Sequence, residues 1–223
     1  MKCFAIYVAN HEGSIRQVKT CLASCKKLEY SVTPFPGSTP NKMLTPFEYE
    51  SIKDSRVRIF ENDNYKKYLA KKACFSNHIR LWKECVKLDE PIIVLEHDAI
   101  AVKKWDNPEF EDVLVLNIGS AFGRSIFNST RPGLEFYKEG INKLEGTKLK
   151  YNRNNVYKNS YMIPGTASYA ITPQGAKKLL VALVENGWEQ SDYFINTYNV
   201  DIRYSAPDYF KLNQNNLHLS HGV

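Results

Sequence analysis

Cysteine is scarce in this chain and poorly spaced for cross-linking. There are five, an odd number with no Cys-x-x-Cys pair, which argues against a disulfide framework or a zinc ribbon. Cys21 and Cys25 lie four apart, which puts both on one side of a helix as small buried hydrophobes rather than a redox or metal pair. Long apolar runs are also missing. No window approaches the about 20 apolar residues that a membrane span needs. The opening run Met1–Ala9 is too short for a secretory signal, and Asn10-His11-Glu12 ends it without a cleavage-type site. The expectation is a cytoplasmic protein. The C-terminus has no amphipathic or polybasic segment with which to sit on lipid. Nor is there a repeat or a collagen-like period, and 43% hydrophobic with 24% charged residues excludes a disordered chain.

What is present fits one domain over residues 1–223 with a full core. The formal charge of +6 and pI near 8.9 suit an enzyme that handles phosphorylated substrates, and they permit nucleic acid as a partner. Strand and helix patterns alternate. Cys3–Ala9 is apolar and β-prone, and Ser14–Leu28 follows with Ile15, Val18, Leu22, Cys25 and Leu28 at helical spacing. A short strand over Ser31–Phe35 runs into proline. Asn64–Leu88 is helical, with Cys74 a position for a break. Pro91–Leu95 is the clearest strand, a continuous apolar run suited to burial on both faces. Further strands are expected at Val113–Asn117, Ser168–Ile171 and Ile202–Tyr204. One helix is expected from Thr172-Pro173 to Glu185, with Thr172 as N-cap, and another over Ser191–Tyr198. About 120–160 reads as an irregular insertion. The sum is an α/β fold with a mostly parallel central sheet flanked by helices.

Glu96-His97-Asp98 follows the central strand, where ligands bind in open α/β sheets. Alternation along a strand would put Glu96 and Asp98 on the same side, a pair able to hold Mg²⁺ or Mn²⁺. A solvated strand-to-loop turn is the competing account.

Four blocks stand in order along the chain: Phe4–Asn10 with Arg16, Ala73–Cys85 leading into Pro91–Ala99, Pro164–Leu180, and Ser191–Ile195 followed by Pro207. Together they resemble glycosyltransferase family 25, the lipooligosaccharide and procollagen galactosyltransferases. The chain departs from the family where His97 replaces the middle acid of an acidic triplet. A second arginine usual in the opening block is absent. The resemblance implies a GT-A-like nucleotide-binding fold, a nucleotide-diphosphate sugar donor (a UDP-sugar foremost) and inverting transfer to an acceptor hydroxyl. It also implies Mn²⁺ or Mg²⁺ on Asp98, with Glu96 on metal or ribose, and Asn10, Arg16, Gly165 and Thr166 toward the donor. Asp192 lies where the family's late acidic residue lies and is the candidate base; a helix N-terminal aspartate supporting the dipole is the equal alternative. His221 is the candidate for a late histidine completing the metal site, against a solvated tail. His78, mid-helix beside Trp82, reads as a packing histidine before a ligand.

For the acceptor, Asn142–Ser160 carries lysines and an arginine among tyrosines. Lys148, Lys150, Tyr151 and Arg153 could grip a phosphate backbone and stack on bases. The reading leans to a hydroxymethylated base in DNA, as in phage genome glycosylation, which would place the protein in a host cytoplasm. A lipooligosaccharide-type glycan is the alternative acceptor. A metal-dependent nucleotide-sugar hydrolase and a catalytically silent binding module are the rival classes.

Overall fold

The computed structural model describes residues 1–40, 65–119, 139–144, 157–163 and 165–213. Its centre is a seven-stranded sheet in the order β2-β1-β3-β7-β5-β8-β6. The strands are β1 (Lys2–Tyr7), β2 (Val32–Pro36), β3 (Ile92–Glu96), β5 (Val113–Val115), β6 (Gly140–Lys143), β7 (Ser168–Ile171) and β8 (Ile202–Ala206). β1, β2, β3, β5 and β8 share one direction, and β7 and β6 oppose it. The mostly parallel α/β sheet expected from the sequence is therefore present. Two short strands, β4 (Ala99–Ala101) and β9 (Phe210–Leu212), pair antiparallel beside it.

Three long helices cover the sheet: α1 (Glu12–Lys27), α2 (Tyr65–Leu88) and α3 (Pro173–Asn186). Ile92 and Val94 of β3 point into a core shared with Phe75, Ile79 and Trp82 of α2 and Leu179 of α3. Ile93 and Leu95 point the other way, against Val18, Cys21 and Cys25 of α1. All four strand residues are fully buried, which is why this stretch lacks the polar alternation of a one-faced strand. Cys21 and Cys25 are free, buried thiols on one side of α1, as their spacing predicts. No described helix is long and apolar enough to cross a membrane.

Boundaries moved where side chains cap. α1 begins at Glu12, two residues before the expected start, because His11 Nδ1 accepts the Ser14 N–H at 3.1 Å and so replaces a missing Ser or Asp cap. α2 runs through Cys74 without interruption. β6 is a strand inside the segment expected to be irregular, paired on β8 from Gly140↔Ala206 to Lys143↔Arg203; most of that segment lies outside the described residues. Thr172 caps α3 as expected, its hydroxyl accepting the Gly175 N–H at 3.1 Å, with Pro173 opening the helix.

Gly175 fixes how closely α3 approaches β5. A Cβ at this position would lie 2.7 Å from the Asp112 carbonyl oxygen. Asp112 in turn accepts the Thr172 N–H at 3.0 Å through that carbonyl and pairs with Lys178 at 2.6 Å through its carboxylate. The obstacle is backbone, so it cannot rotate away. Gly175→Ala is predicted to destabilise the fold by about 1–3 kcal/mol, the range for overpacking a tight contact, despite the better helix propensity of alanine. Denaturant unfolding of the two proteins measures it; an unchanged or raised midpoint would show that α3 can shift freely.

Candidate active site

β1 leads through α1 to β2 on one side, while β3 lies on the other side of β1. The crevice between the carboxyl ends of β1 and β3 is therefore a topological switch point, the place where open α/β sheets bind ligands. Glu96 is the last residue of β3 and sits in register with Ile6. Asn10, in the turn that ends β1, and Arg16, on α1, are exposed on the same end of the sheet. His97 and Asp98 form the turn into β4, so strand alternation stops at Glu96. The two carboxylates feel each other's charge across that turn. Glu96 meets α2, whereas the Asp98 charge reaches Cys21 on α1.

The antiparallel course of β7 brings its first residues beside the last of β3. The Glu96 N–H donates to the Ala167 carbonyl at 2.8 Å, and the Thr166 hydroxyl donates to Glu96 Oε1 at 2.5 Å. Gly165 has φ +137° with nothing near a notional Cβ, so glycine is required there by backbone conformation and not by lack of space.

α2 supplies the other wall. His78 is fully buried, with Nδ1 2.9 Å from the Tyr169 hydroxyl and Nε2 3.7 Å from Glu96 Oε1. The same Tyr169 oxygen accepts the Trp82 indole N–H at 3.0 Å. One turn before His78 stands Cys74, and ligand atoms of Cys74, His78 and Glu96 lie within 4.8 Å of one another. The short helix α4 (Ser191–Phe194) docks on α2 through Phe194, which stacks 5.9 Å from Trp82 and edges onto Phe75 at 5.1 Å. That contact brings Asp192 to the cluster, where it feels the charges of Glu96 and His78. Gln190 Nε2 donates to both Asp192 oxygens, at 3.1 and 3.2 Å.

The carboxyls sit in different electrostatic settings. Burial opposes ionisation of Glu96, but the His78 imidazole and the Thr166 hydroxyl outweigh it and hold this carboxyl below its ordinary value. Asp98 is pushed up to about 7, first by burial and then by the Glu96 charge. Its Oδ1 is buried with no hydrogen-bond partner among the described residues. Burial likewise raises Asp192, with Gln190 and the backbone acting in the opposite sense. His97 is lowered by burial and by His11, against the pull of Glu96. Groups pushed apart in this way at one crevice are a signature of functional sites.

Glu96, Asp98, Gly165, Thr166 and Asp192 thus converge on one end of the sheet; Asn10 lies in the turn after β1 and Arg16 in α1, both exposed. Lys148, Lys150, Tyr151, Arg153 and His221 lie outside the described residues. Sequence reasoning passed over Cys74 and Gln190 and treated His78 as packing. The signal available for the first was its i, i+4 spacing from His78, which puts both on one helix face. A surface hollow of about 510 Å³ at the opposite end of the strands, lined by Met1, Pro91, Trp105 and Arg203 among others, contains none of these residues.

A Drosophila β1,4-galactosyltransferase 7 mutant, in complex with manganese, UDP-galactose and xylobiose, superposes with a TM-score of 0.39 at 10% identity, covering 99% of this chain and 73% of that one. None of the curated proteins matches the chain. The model of glycosyltransferase family 25, described as an LPS biosynthesis protein, matches residues 4–195, a span that includes β1, the Glu96 crevice, the Gly165-Thr166 block and Asp192. The chain belongs to glycosyltransferase family 25 and is a glycosyltransferase.

Proposed function

We propose that the protein transfers a sugar, with inversion, from a UDP-type donor to an acceptor hydroxyl, using a divalent cation held by Asp98 and Glu96 and a base supplied by Asp192. The observation that carries this reading is the orphaned Asp98 Oδ1 at the switch-point crevice, beside the ionised Glu96. A buried carboxylate oxygen without a partner is costly, and a hard cation satisfies it while offsetting the burial, and then the Glu96 repulsion, that raise its pKa. The oxygen-rich pair therefore fits Mg²⁺ or Mn²⁺. When bound, the cation supplies positive charge opposite the negative charge that builds on the leaving diphosphate.

The chain's own residues do the rest. Thr166 orients Glu96 from the segment just before β7, and the open backbone at Gly165 lets the donor approach closely. Asn10 and Arg16 flank the nucleotide side. Asp192 accepts the acceptor's hydroxyl proton, and its raised pKa makes it a stronger base than an exposed aspartate. Gln190 keeps both of its oxygens aimed. The family description, lipopolysaccharide biosynthesis, favours a glycan hydroxyl as acceptor. The basic, tyrosine-bearing stretch around Lys148, Lys150, Tyr151 and Arg153 supports a second reading, a hydroxymethylated base in DNA, and such a base has to leave the duplex stack to reach the crevice.

Asp98→Asn is predicted to lower metal-dependent turnover by about 10²-fold or more while the protein still unfolds cooperatively. In the wild type, Mn²⁺ binding should weaken as pH falls through about 7, because protonated Asp98 cannot ligate. Calorimetric Mn²⁺ titrations across that range check it, and pH-independent binding would move the cation elsewhere.

Asp192→Asn is predicted to cut kcat by about 10²-fold with little change in donor affinity, since a general base acts on the chemical step. Ionised Asp192 is the active form. The wild-type kcat should therefore fall on the acid side, at a pH above the ordinary aspartate range, and the variant should lose that limb. Lost donor binding instead would assign Asp192 to the nucleotide.

The acceptor readings separate on salt. For DNA, affinity falls steeply with salt, and replacing Lys148, Lys150 and Arg153 with alanine reduces the slope by roughly 0.9 per lost phosphate contact. Mass analysis of glycan and hydroxymethylated DNA acceptors against a full donor panel decides the case; sugar on glycan alone retires the DNA reading.

A further inference from the structure

Glu96 has a second set of neighbours that the donor chemistry does not use. Cys74 and His78 stand one turn apart on α2, and their ligand atoms lie with that of Glu96 inside a 4.8 Å group. His78 is fully buried, and its Nε2 has no hydrogen-bond partner among the described residues. The nearest oxygen is Glu96 Oε1 at 3.7 Å, too far for a hydrogen bond yet close enough for an ion to bridge the two. Nδ1, on the far side of the ring, is 2.9 Å from the Tyr169 hydroxyl, whose oxygen is further anchored by the Trp82 N–H at 3.0 Å. A histidine that ligates through one nitrogen commonly gives the other to such an outer partner, which fixes its tautomer and ring orientation. Cys74 is exposed, so the group has an entry path from solvent. Desolvation first, and then the carboxylates of Glu96 and Asp192, push the Cys74 thiol up and keep it protonated without metal; the same negative charges attract a cation that can displace the proton.

We propose that Cys74 Sγ, His78 Nε2 and Glu96 form a binding site for a thiophilic divalent cation of the zinc class, distinct from the all-oxygen pair of Glu96 and Asp98. One sulfur, one imidazole nitrogen and one carboxylate oxygen suit Zn²⁺ and disfavour Mg²⁺, which prefers oxygen throughout. Three protein ligands leave a fourth position for water, the open arrangement of a reactive or exchangeable zinc site. On binding, the sulfur–metal bond replaces the S–H bond of Cys74 and the proton goes to solvent. His78 binds through the Nε2 lone pair with its ring proton on Nδ1, facing the Tyr169 oxygen; the Nε2 proton that faces Glu96 in the metal-free protein is lost as Nδ1 takes one up. Because Glu96 belongs to both sets, zinc at this site weakens the hold on the donor's cation and inhibits transfer. That inhibitory consequence rests on the function proposed above; the site itself does not.

The full-length protein, freed of metal, is titrated with Co²⁺ as a spectroscopic probe and then with Zn²⁺. The expected result is one Co²⁺ per chain with a thiolate-to-cobalt charge-transfer band that Zn²⁺ abolishes. Cys74→Ser, a near-isosteric change at an exposed position, should remove the band while leaving the metal-free thermal midpoint and the Mn²⁺-supported turnover unchanged. A thiolate band that persists in Cys74→Ser would place the cation on another cysteine, and Co²⁺ binding without any thiolate band would place it on carboxylates; either overturns the site. Inhibition of the wild type by Zn²⁺ in the presence of Mn²⁺ should weaken at least tenfold in Cys74→Ser. If the Cys74-dependent band appears but zinc does not inhibit, the site stands and the role of Glu96 in holding the donor's cation falls.

Discussion

Tyr169 carries a fully buried hydroxyl at the middle of the sheet, and the way that hydroxyl is satisfied holds the active end together. It accepts the indole N–H of Trp82 and meets Nδ1 of His78, both from α2, so a strand and a helix are joined by a polar chain inside an apolar core. A buried hydroxyl left without partners would cost about 1–3 kcal/mol, which makes this docking of α2 on β7 specific where apolar packing alone would tolerate sliding. From that join everything else follows. His78 is aimed at Glu96, Trp82 offers its ring to Phe194, and Phe194 carries α4 and Asp192 to the crevice. The antiparallel β7 then closes the site from the other side, because its first residues must lie where β3 ends.

Much of this was legible in the sequence, for reasons that differ by element. Pro91–Leu95 announced a central strand because continuous apolar character means burial on both faces, and Thr172-Pro173 announced a helix start because the cap and the missing N–H are local chemistry. The acidic pair and Asp192 were expected from their place after a strand and from the resemblance of ordered blocks. The early start of α1 was hidden because histidine is an uncommon cap, and only its contact with Ser14 N–H reveals the role. β6 was hidden because its Gly-Ile-Asn-Lys sequence has little strand propensity, and pairing with β8 supplies what the sequence lacks. His78 looked like packing because most of its ring does pack, against Trp82 and Tyr169; its polar face becomes visible only when β3 and α2 are brought together. The same holds for Cys74 and Gln190, whose meaning depends on neighbours far away in the chain.

The electrostatic arrangement explains why His97 can replace an acid. A third carboxylate between Glu96 and Asp98 would add a like charge to a crevice where Asp98 is already pushed to about 7. A histidine held in its neutral form by burial and by His11 avoids that cost while both outer carboxylates remain. The pair then differs internally: Glu96 is kept ionised by its partners, and Asp98 is left short of one. In the proposed function, a cation would complete the second without disturbing the first.

The central claim is that this crevice, at the carboxyl ends of β1 and β3, holds the donor's cation. Anomalous diffraction from crystals soaked with Mn²⁺ and UDP tests it most directly. The account predicts a manganese peak in bonding contact with carboxylate oxygens of both Asp98 and Glu96, with the diphosphate beside it. A peak that touches neither Asp98 nor Glu96, or UDP bound at full occupancy with no manganese at the crevice, would contradict it.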